Sequence, residues 1–484
     1  MDESLDIADE YVSRVPPTRS IDNTTGPVEF NLEPAGLHLT DLSQCYLKVR
    51  VKANRDVNTP VSHYQALTEE MIFNPDTIPK DGRVQITTAV ATNDSDDDDD
   101  SVSNTSNTSN TSNTPNTPNT PNTPTTREGE EIGKPGPDVY LSCKNNLFHN
   151  LWESGEVWIN ETLVERVTDY VWVSFISTVF GFDRDTKTAV LPELLGYYED
   201  TPFRLDSTSS TNPNKAHDKR IKNLLLNGRE VELKARLNFG CFEISELLPN
   251  HSSVRIVLNR KSPQFPLHYA GTTIPTGANY QLELTFAELE VRRVGPSPTA
   301  LRDYNAGLAA NLSRFDFVKS QCKTFTFVGE RSDIIIDNLY NGQIPKLVLV
   351  MMVGNDVYHG NIQKTSFNFK DYGFIKGCLK VDGQIFPSPT GYDLNVSQNK
   401  FTDAFLQLQS CFPARHGVSR EQFKGGLFVL AFPLDGKQGQ NGQISLNFTF
   451  KRVLGETVTL IAIAYHDVHF MMDQTRNISS TYIP

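Results

Sequence analysis

The sequence predicts an all-β protein made of two tandem β-sandwiches of eight strands each, with short helices in the loops. The first observation is an internal repeat of apolar blocks, which are residues 30–32, 47–51 and 282–286 in the first half and residues 325–327, 346–350 and 460–464 in the second. The second is the content of 28 Phe and 16 Tyr, which suits a pleated, half-buried β surface. The third is the clean alternation of apolar and polar residues at 229–237, which is typical of a sheet with one solvated face.

Length and charge narrow the classes of protein further. A chain of 484 residues exceeds what one hydrophobic core usually holds, so we expect two domains of ordinary size. The net charge is −13, and Asp94 together with residues 96–100 supplies six of the negative charges. Nucleic-acid binders usually carry a basic stripe, and none is evident, which argues against direct, sequence-specific nucleic-acid binding.

Cysteine use and hydropathy predict a soluble protein made in a reducing compartment. The six cysteines are scattered singly, as buried apolar thiols usually are, at Cys45, Cys143, Cys241, Cys322, Cys378 and Cys411. The acidic residues Asp2 and Glu3 stand where a secretory signal would be basic. We also expect no membrane span, because no apolar stretch approaches the length needed to cross a bilayer.

The N-terminal region is predicted to be an extended arm over residues 1–24. Pro16 and Pro17 exclude helix and central strand there. The segment is therefore available to lie on another surface, and Pro16, Pro17, Thr18 and Ile21 are the candidate assembly contacts.

The first sandwich is predicted over residues 25–296 and contains a polar insertion at about residues 54–137. Within the insertion, five consecutive aspartates at 96–100 precede repeats of Asn-Thr-Ser and Asn-Thr-Pro. Such a tract cannot bury apolar surface and is expected to be disordered. We favour the interpretation that this segment is a tolerated insertion in an exposed loop over the alternative that it is a functional flexible segment on an outer surface. Calcium binding is disfavoured because calcium ligands must be spaced on a turn.

Several elements of the first sandwich can be placed by pattern. Asn160-Glu161 is predicted to turn a hairpin, and residues 147–152 and 191–198 have helical character. Residues 170–180 form a dense aromatic and β-branched stretch. The Gly- and Pro-rich segment Gly295-Pro296-Ser297-Pro298 interrupts regular secondary structure and is predicted to be the domain boundary.

The second sandwich is predicted over residues 297–484 and begins with a helical connector at 299–312. Its strand candidates are residues 323–327, 346–353, 365–369, 374–381, 427–433, 444–453 and 458–465. Asp382-Gly383 between apolar runs predicts a tight hairpin turn, and residues 401–411 are helix-like. Seven or eight strands joined by long and short links suit a jelly roll.

No catalytic, metal or cofactor motif is evident in the sequence, so we expect neither an enzyme nor a cofactor. His466 and His469 flank an apolar strand, where histidines are more often satisfied core or rim residues than metal ligands. Cys411 and His416 invite a thiol-protease interpretation, but their closeness in one segment does not make a catalytic pair. Two sandwiches fused in one chain favour a building block over an enzyme.

The chain resembles the double jelly-roll major capsid proteins of Polinton (Maverick) elements and adinto-like viruses, including genome-integrated copies. The resemblance spans most of the chain apart from the insertion. It rests on motifs in the same order, which are Val15-Pro16-Pro17-Thr18, Ile21-Asp22, Pro27-Val28-Glu29-Phe30, Leu47-Lys48-Val49-Arg50-Val51, Asn145-Asn146-Leu147-Phe148, Val157-Trp158-Ile159-Asn160, Cys322-Lys323-Thr324-Phe325-Thr326, Leu339-Tyr340-Asn341-Gly342-Gln343-Ile344-Pro345, Asn355-Asp356, Phe367-Asn368-Phe369-Lys370 and Val381-Asp382-Gly383-Gln384.

This resemblance implies a structural, hexon-like capsid protein. Three copies would form a homotrimer with pseudo-hexameric outline, which tiles an icosahedral shell with neighbouring capsomers and a minor or penton capsid protein. It implies a location in the virion after synthesis in the host cytoplasm or nucleus. The alternatives are a host tandem β-sandwich binding module, a hydrolase on a β-sandwich scaffold, and a domesticated remnant of a capsid gene that no longer assembles.

Overall fold

The two halves of the chain each fold into a pair of packed antiparallel sheets with one shared strand order. The computed structural model describes residues 6–21, 26–55, 141–207, 213–225, 228–271, 274, 279–310, 312–412 and 415–480. The predicted insertion lies outside these residues, except for residues 54 and 55 at the end of a strand.

The first lobe comprises strands β1 to β10. They are β1 (Ile7–Val15), β2 (Val28–Leu32), β3 (Leu39–Arg55), β4 (Leu141–Cys143), β5 (Trp152–Ile159), β6 (Thr162–Val167), β7 (Val231–Arg236), β8 (Val254–Arg260), β9 (Leu267–Tyr269) and β10 (Tyr280–Pro296). One sheet has the order β1-β10-β3-β7 and the other β2-β8-β5-β6, while β4 and β9 pair separately.

The second lobe comprises strands β11 to β20. They are β11 (Ser313–Phe327), β12 (Asp333–Gln343), β13 (Leu347–Gly354), β14 (Phe374–Val381), β15 (Gln384–Phe386), β16 (Tyr392–Asp393), β17 (Val429–Pro433), β18 (Asn441–Phe450), β19 (Val458–Met472) and β20 (Ile478–Ser480). Its sheets have the orders β11-β19-β13-β17 and β12-β18-β14-β15, with β20 on β19 and β16 on β14.

Both lobes are jelly rolls with the same connectivity. If β4, β9, β16 and β20 are set aside, each lobe has main strands 1 to 8, which form one sheet of order 1-8-3-6 and another of order 2-7-4-5. This two-sheet arrangement of eight antiparallel strands is a jelly roll. The prediction of an all-β fold with two tandem jelly rolls is therefore confirmed.

Short helices occupy the loops and the connection between the lobes. The helices are α1 (Tyr170–Gly181), α2 (Arg184–Ala189), α3 (Leu191–Leu195), α4 (Lys215–Arg220), α5 (Pro298–Ala310), α6 (Asn355–Tyr358), α7 (Thr402–Ser410) and α8 (Arg420–Lys424), with 3-10 turns at His149–Leu151, Gly240–Phe242 and Val396–Gln398 and a π turn at Ile221–Leu225. The predicted helices correspond to the turn at His149–Leu151, α3, α5 and α7. In the part of the chain that the structure describes, no helix is both long and apolar enough to cross a membrane.

The two predicted hairpins are present. Asn160 and Glu161 have φ of 46° and 66°, and Asp382 and Gly383 have φ of 46° and 87°. Consecutive left-handed residues are what a two-residue hairpin turn requires, because its twist then matches that of the strands.

Two strand assignments from the sequence are wrong, and the strand β12 was missed. The apolar blocks at 30–32 and 325–327 are not equivalent, because the first lies in strand 2 of its lobe and the second in strand 1. Residues 365–369 make only an isolated bridge, between Phe369 and Leu427. In contrast, β12 was not predicted, because its polar residues Asp333, Asp337 and Asn338 obscure the alternation of an edge strand that buries Ile334 and Ile336.

The remaining repeated blocks do occupy equivalent strands but differ in burial. In β10, buried residues such as Leu282 and Leu284 alternate with exposed Gln281 and partly exposed Glu283. In contrast, β13 is buried at every position, and β19 is buried throughout its first half. The alternating block therefore belongs to a sheet with one wet face, and the continuous block to a sheet covered on both faces.

Candidate functional site

The predicted arm is part of the first sandwich instead of a free extension. Residues 7–15 form β1, which pairs along β10 from Ile7 opposite Pro296 to Val15 opposite Leu289. Sequence inspection missed this strand because the edge position leaves β1 mostly exposed, so it lacks a clear apolar alternation.

The four candidate contact residues lie on the link from β1 to β2. The backbone N–H and the Oγ1 hydroxyl of Thr18 both donate to the carbonyl oxygen of Glu29, at 2.7 and 3.1 Å. Ile21 is half-buried and packs against the core, Pro17 is half-buried, and Pro16 is exposed. The structure thus places all four on one link, which Thr18 fastens to β2, and their role as assembly contacts stays a prediction.

The junction between the lobes is built around α1. Ten of its residues are buried, from Tyr170 to Phe180. A helix that is apolar on all sides belongs in a protein interior. The buried hydroxyls of Ser174 and Thr178 form hydrogen bonds within the helix, since Ser174 Oγ donates to the Tyr170 carbonyl at 2.7 Å and Thr178 Oγ1 to the Ser174 carbonyl at 2.8 Å.

Aromatic rings of the second lobe pack directly against α1. The rings of Phe175 and Phe367 stack with centroids 3.8 Å apart and an interplanar angle of 1°. Trp172 stacks on Tyr358 at 5.8 Å and meets Phe367 edge-on at 5.7 Å. Aromatic pairs of this kind contribute about 0.5–1.5 kcal/mol each beyond the area that they bury. The junction is therefore a packed hydrophobic core shared by both lobes.

Hydrogen bonds reinforce the junction on one side of this core. The Asp206 carboxylate of the first lobe accepts from the Thr365 backbone N–H at 2.6 Å and from Asn368 Nδ2 at 2.9 Å. Burial raises the pKa of Asp206, although these two hydrogen bonds oppose the shift. The Tyr269 backbone N–H donates to the Ile362 carbonyl at 2.7 Å.

Arg476 links the C-terminal hairpin of the second lobe to the first lobe. Its guanidinium donates to the carbonyl and side-chain oxygens of Asn250, at 2.8 and 2.7 Å, and to Asn305 Oδ1 at 2.9 Å. Its own carbonyl accepts from Asn160 Nδ2 at 2.8 Å. One residue thus ties together two loops of the first lobe and the connector helix α5.

A buried carboxylate orders the segment of the first lobe that contacts β11. Glu165 accepts from the backbone N–H groups of Gly240 and Cys241, at 3.0 and 2.9 Å. Burial raises the pKa of Glu165, and these backbone bonds together with the nearby Lys319 act in the opposite direction. Gly240 itself lies so close to the Val318 carbonyl that a Cβ at residue 240 would collide with it. Only glycine allows the two lobes to approach this closely here.

Several histidines and four of the cysteines are core residues, whereas Cys378 and Cys411 are partly exposed. Burial lowers the pKa of His149 and His268 to about 3 and of His416 and His466 to about 4. His416 Nδ1 accepts from the Val418 N–H at 3.2 Å, and burial raises the pKa of the Cys411 thiol, so this pair lacks the activated thiolate that a thiol protease uses. Within the described residues, no group of three or more potential ligands could hold a metal ion, and the six cysteines are unpaired.

The solved structures to which this chain is similar include those of viral capsids. A chain in the cryo-EM structure of the Sputnik virophage matches with a TM-score of 0.61 and 9% identity, covering 99% of this chain and 90% of the virophage chain. The Faustovirus major capsid protein matches with a TM-score of 0.53 and 9% identity, over 97% of this chain and 91% of its own. The class that the fold defines is thus the double jelly roll.

Sequence comparison identifies one curated relative. It is the uncharacterized protein F54H12.2 of Caenorhabditis elegans, which is 22% identical over 297 residues. The aligned region covers 59% of this chain, and the chain spans about 65% of the relative's length. No protein-family model matches the sequence.

Proposed function

We propose that this chain is a major capsid protein that forms homotrimers with a pseudo-hexameric outline, the capsomers of an icosahedral shell. The observation that carries the proposal is the presence of two jelly rolls with identical strand order, joined by a shared aromatic core. Two equivalent lobes held in one fixed arrangement let three copies occupy six similar positions. A ring of this kind closes through heterologous contacts, in which each subunit offers two different surfaces to its neighbours.

The setting of this function is proposed to be a virus particle encoded by an integrated element of the Polinton or Maverick type. The sequence motifs resemble that family, and the curated relative comes from an animal. We place the assembled protein in the virion, in contact with neighbouring capsomers and a minor or penton capsid protein. The segment Pro16, Pro17, Thr18 and Ile21 is proposed to contribute contacts from its position on the link between β1 and β2.

The oligomeric state of the purified chain tests the proposal. Size-exclusion chromatography with light scattering is expected to give the mass of three 54.2 kDa chains, and negative-stain images are expected to show hexagonal outlines. A protein that stays monomeric across the accessible concentration range contradicts the proposal. A monomer that binds glycans would instead favour a host binding module. A monomer that binds no glycan would favour a capsid remnant that no longer assembles.

A further inference from the structure

The first strand of the second lobe is an edge strand that the first lobe covers. In its sheet β11 pairs only with β19, and its central residues pack against β6 and the Gly240–Phe242 turn. Phe317 is 8% exposed, and its ring lies against Gly240. An uncovered edge strand invites pairing or association with another chain, and covering it is one of the ways in which proteins prevent this.

The first strand of the first lobe holds the same position but is uncovered. Among the residues described, β1 pairs only with β10, and Ile7, Tyr11 and Val12 are 46%, 44% and 56% exposed. Val12 lies opposite Arg292, and Arg292 is four residues before the end of β10. In the second lobe, Phe317 lies opposite Val468, and Val468 is likewise four residues before the end of β19. The structural counterpart of a buried phenylalanine is therefore an exposed valine.

Charged residues beside Val12 do not prevent this face from being covered. Arg292 pairs with Glu10 and with Asp41, at 2.5 and 3.0 Å, and Glu290 pairs with Lys234 and lies 3.9 Å from Arg14. Because these charges have partners within the chain, a neighbour that covers the strand leaves none of them unpaired. Unpaired buried charges are what makes a charged interface costly.

We propose that β1 is covered by the second lobe of a neighbouring copy of this chain, through the connection between β17 and β18 at residues 434–440. Within one chain, the connection that follows β7 contains the Gly240–Phe242 turn and covers β11, the first strand of the second lobe. The second lobe has an equivalent connection, which follows β17. Lys437 lies four residues after the end of β17, as Gly240 lies four residues after the end of β7. This inference rests on the proposed trimer, in which every second lobe is followed by the first lobe of the next copy.

A cysteine pair tests the contact directly in the full-length protein. Val12→Cys and Lys437→Cys are combined in one chain, the trimer fraction is treated with a short bismaleimide, and the products are separated under denaturing conditions. Because each copy would link to the next around the ring, we expect a covalent trimer band. Each single variant serves as a control, since Cys378 and Cys411 are partly exposed and set the background. A trimer that yields no more cross-linked product than the single variants overturns the proposal.

A matched pair of arginine substitutions measures the contribution of the surface. Val12→Arg places an unpaired charge in the proposed interface, whereas Ile335→Arg places one on β12, an edge strand outside it, at a residue that is 57% exposed. We expect Val12→Arg to raise the concentration at which the trimer dissociates by at least about tenfold, and Ile335→Arg to leave it unchanged. Equal dissociation of both variants counts against the proposal.

The two experiments separate failure of this inference from failure of the proposed function. A wild-type trimer without the cross-link between residues 12 and 437 retains the capsomer but rejects this interface. A wild-type protein that never trimerises rejects both. If Val12→Arg fails to fold, as judged by circular dichroism, the cross-link alone decides.

Discussion

At the scale of single residues, the buried histidines make this fold sensitive to acid. The His149 ring lies 3.0 Å from the Tyr170 hydroxyl at the start of α1, and burial lowers its pKa from 6.5 to about 3. His416 and His466, near the junction, are shifted in the same direction, to about 4. Burial disfavours the charged imidazolium, so each of these rings is neutral in the folded protein at neutral pH.

We predict that the free energy of unfolding falls as the pH drops below about 6.5. The unfolded chain then binds protons that the folded chain does not, and each such histidine costs up to about 1.4 kcal/mol per pH unit. Urea unfolding at about pH 7 and about pH 5 measures this slope. His149→Gln is expected to flatten it, because this variant removes a group that takes up a proton only in the unfolded chain. An identical slope in the wild type and His149→Gln would contradict the assignment.

Another residue-scale prediction concerns the hairpin turn between β14 and β15. Gly383 has φ of 87° and nothing within 4 Å of where a Cβ would stand, so any cost of Gly383→Ala comes from backbone strain alone. We expect a loss of about 1–2 kcal/mol in the free energy of unfolding. Gly455→Ala is the control, because that position is equally open and lacks a left-handed φ. Equal urea midpoints for the two variants would show that the turn is not strained by alanine.

At the scale of elements, α1 is where local propensity and tertiary packing disagree. Its aromatic and β-branched residues favour strands on average, yet they form a helix whose whole circumference is buried. The backbone hydrogen bonds of a helix are satisfied internally, so this segment can lie in the apolar junction without leaving polar groups unpaired. The rings of Phe367 and Tyr358 then fill the space around it.

We expect Phe175→Ala to be the most destabilising single truncation in α1. It removes the ring stacked on Phe367 and leaves a cavity between the lobes, which costs about 3–5 kcal/mol for a buried phenylalanine. Phe182→Ala is the matched control, because that ring follows the same helix but is 39% exposed, and surface changes stay within about 0.5 kcal/mol. Thermal unfolding of the three proteins measures the difference. Similar losses for both variants would mean that α1 does not anchor the junction.

At the scale of the whole molecule, the shared core makes the two lobes interdependent. The sheet of β11, β19, β13 and β17 has one face inside its own sandwich, and the other packs on the first lobe through residues such as Phe317 and Lys319. Separating the lobes would expose this second face and the rings around α1 to water. The second lobe therefore depends on the first for part of its core.

We predict that the lobes unfold together in differential scanning calorimetry, as a single transition. Loss of either lobe would expose apolar surface of the other, which couples their stabilities. Phe175→Ala is expected to lower the temperature of this transition and to broaden it, because the coupling weakens. Two well-separated transitions in the wild-type protein would show that each lobe is stable alone.

Local features of the sequence were sufficient for most of the strands, the two hairpin turns and the duplicated architecture. Asn160, Asp382 and Gly383 favour their turns because Asn, Asp and Gly adopt the left-handed conformation more readily than other residues. The alternating apolar block in β10 indicates a sheet with one buried face, and the continuous apolar blocks in β13 and β19 indicate a sheet with two buried faces. These properties depend on residues close together in the chain, so periodicity reveals them.

Only the tertiary structure decided which strands lie at the edges, whether residues 170–181 form a helix, and which surfaces meet between the lobes. An edge strand such as β1 has no strong apolar alternation, because water covers much of it. Phe175 and Phe367 are far apart in sequence, as are Gly240 and Val318, so no local pattern predicts that these residues are in contact. Burial from all sides, and not intrinsic propensity, determines the conformation of α1.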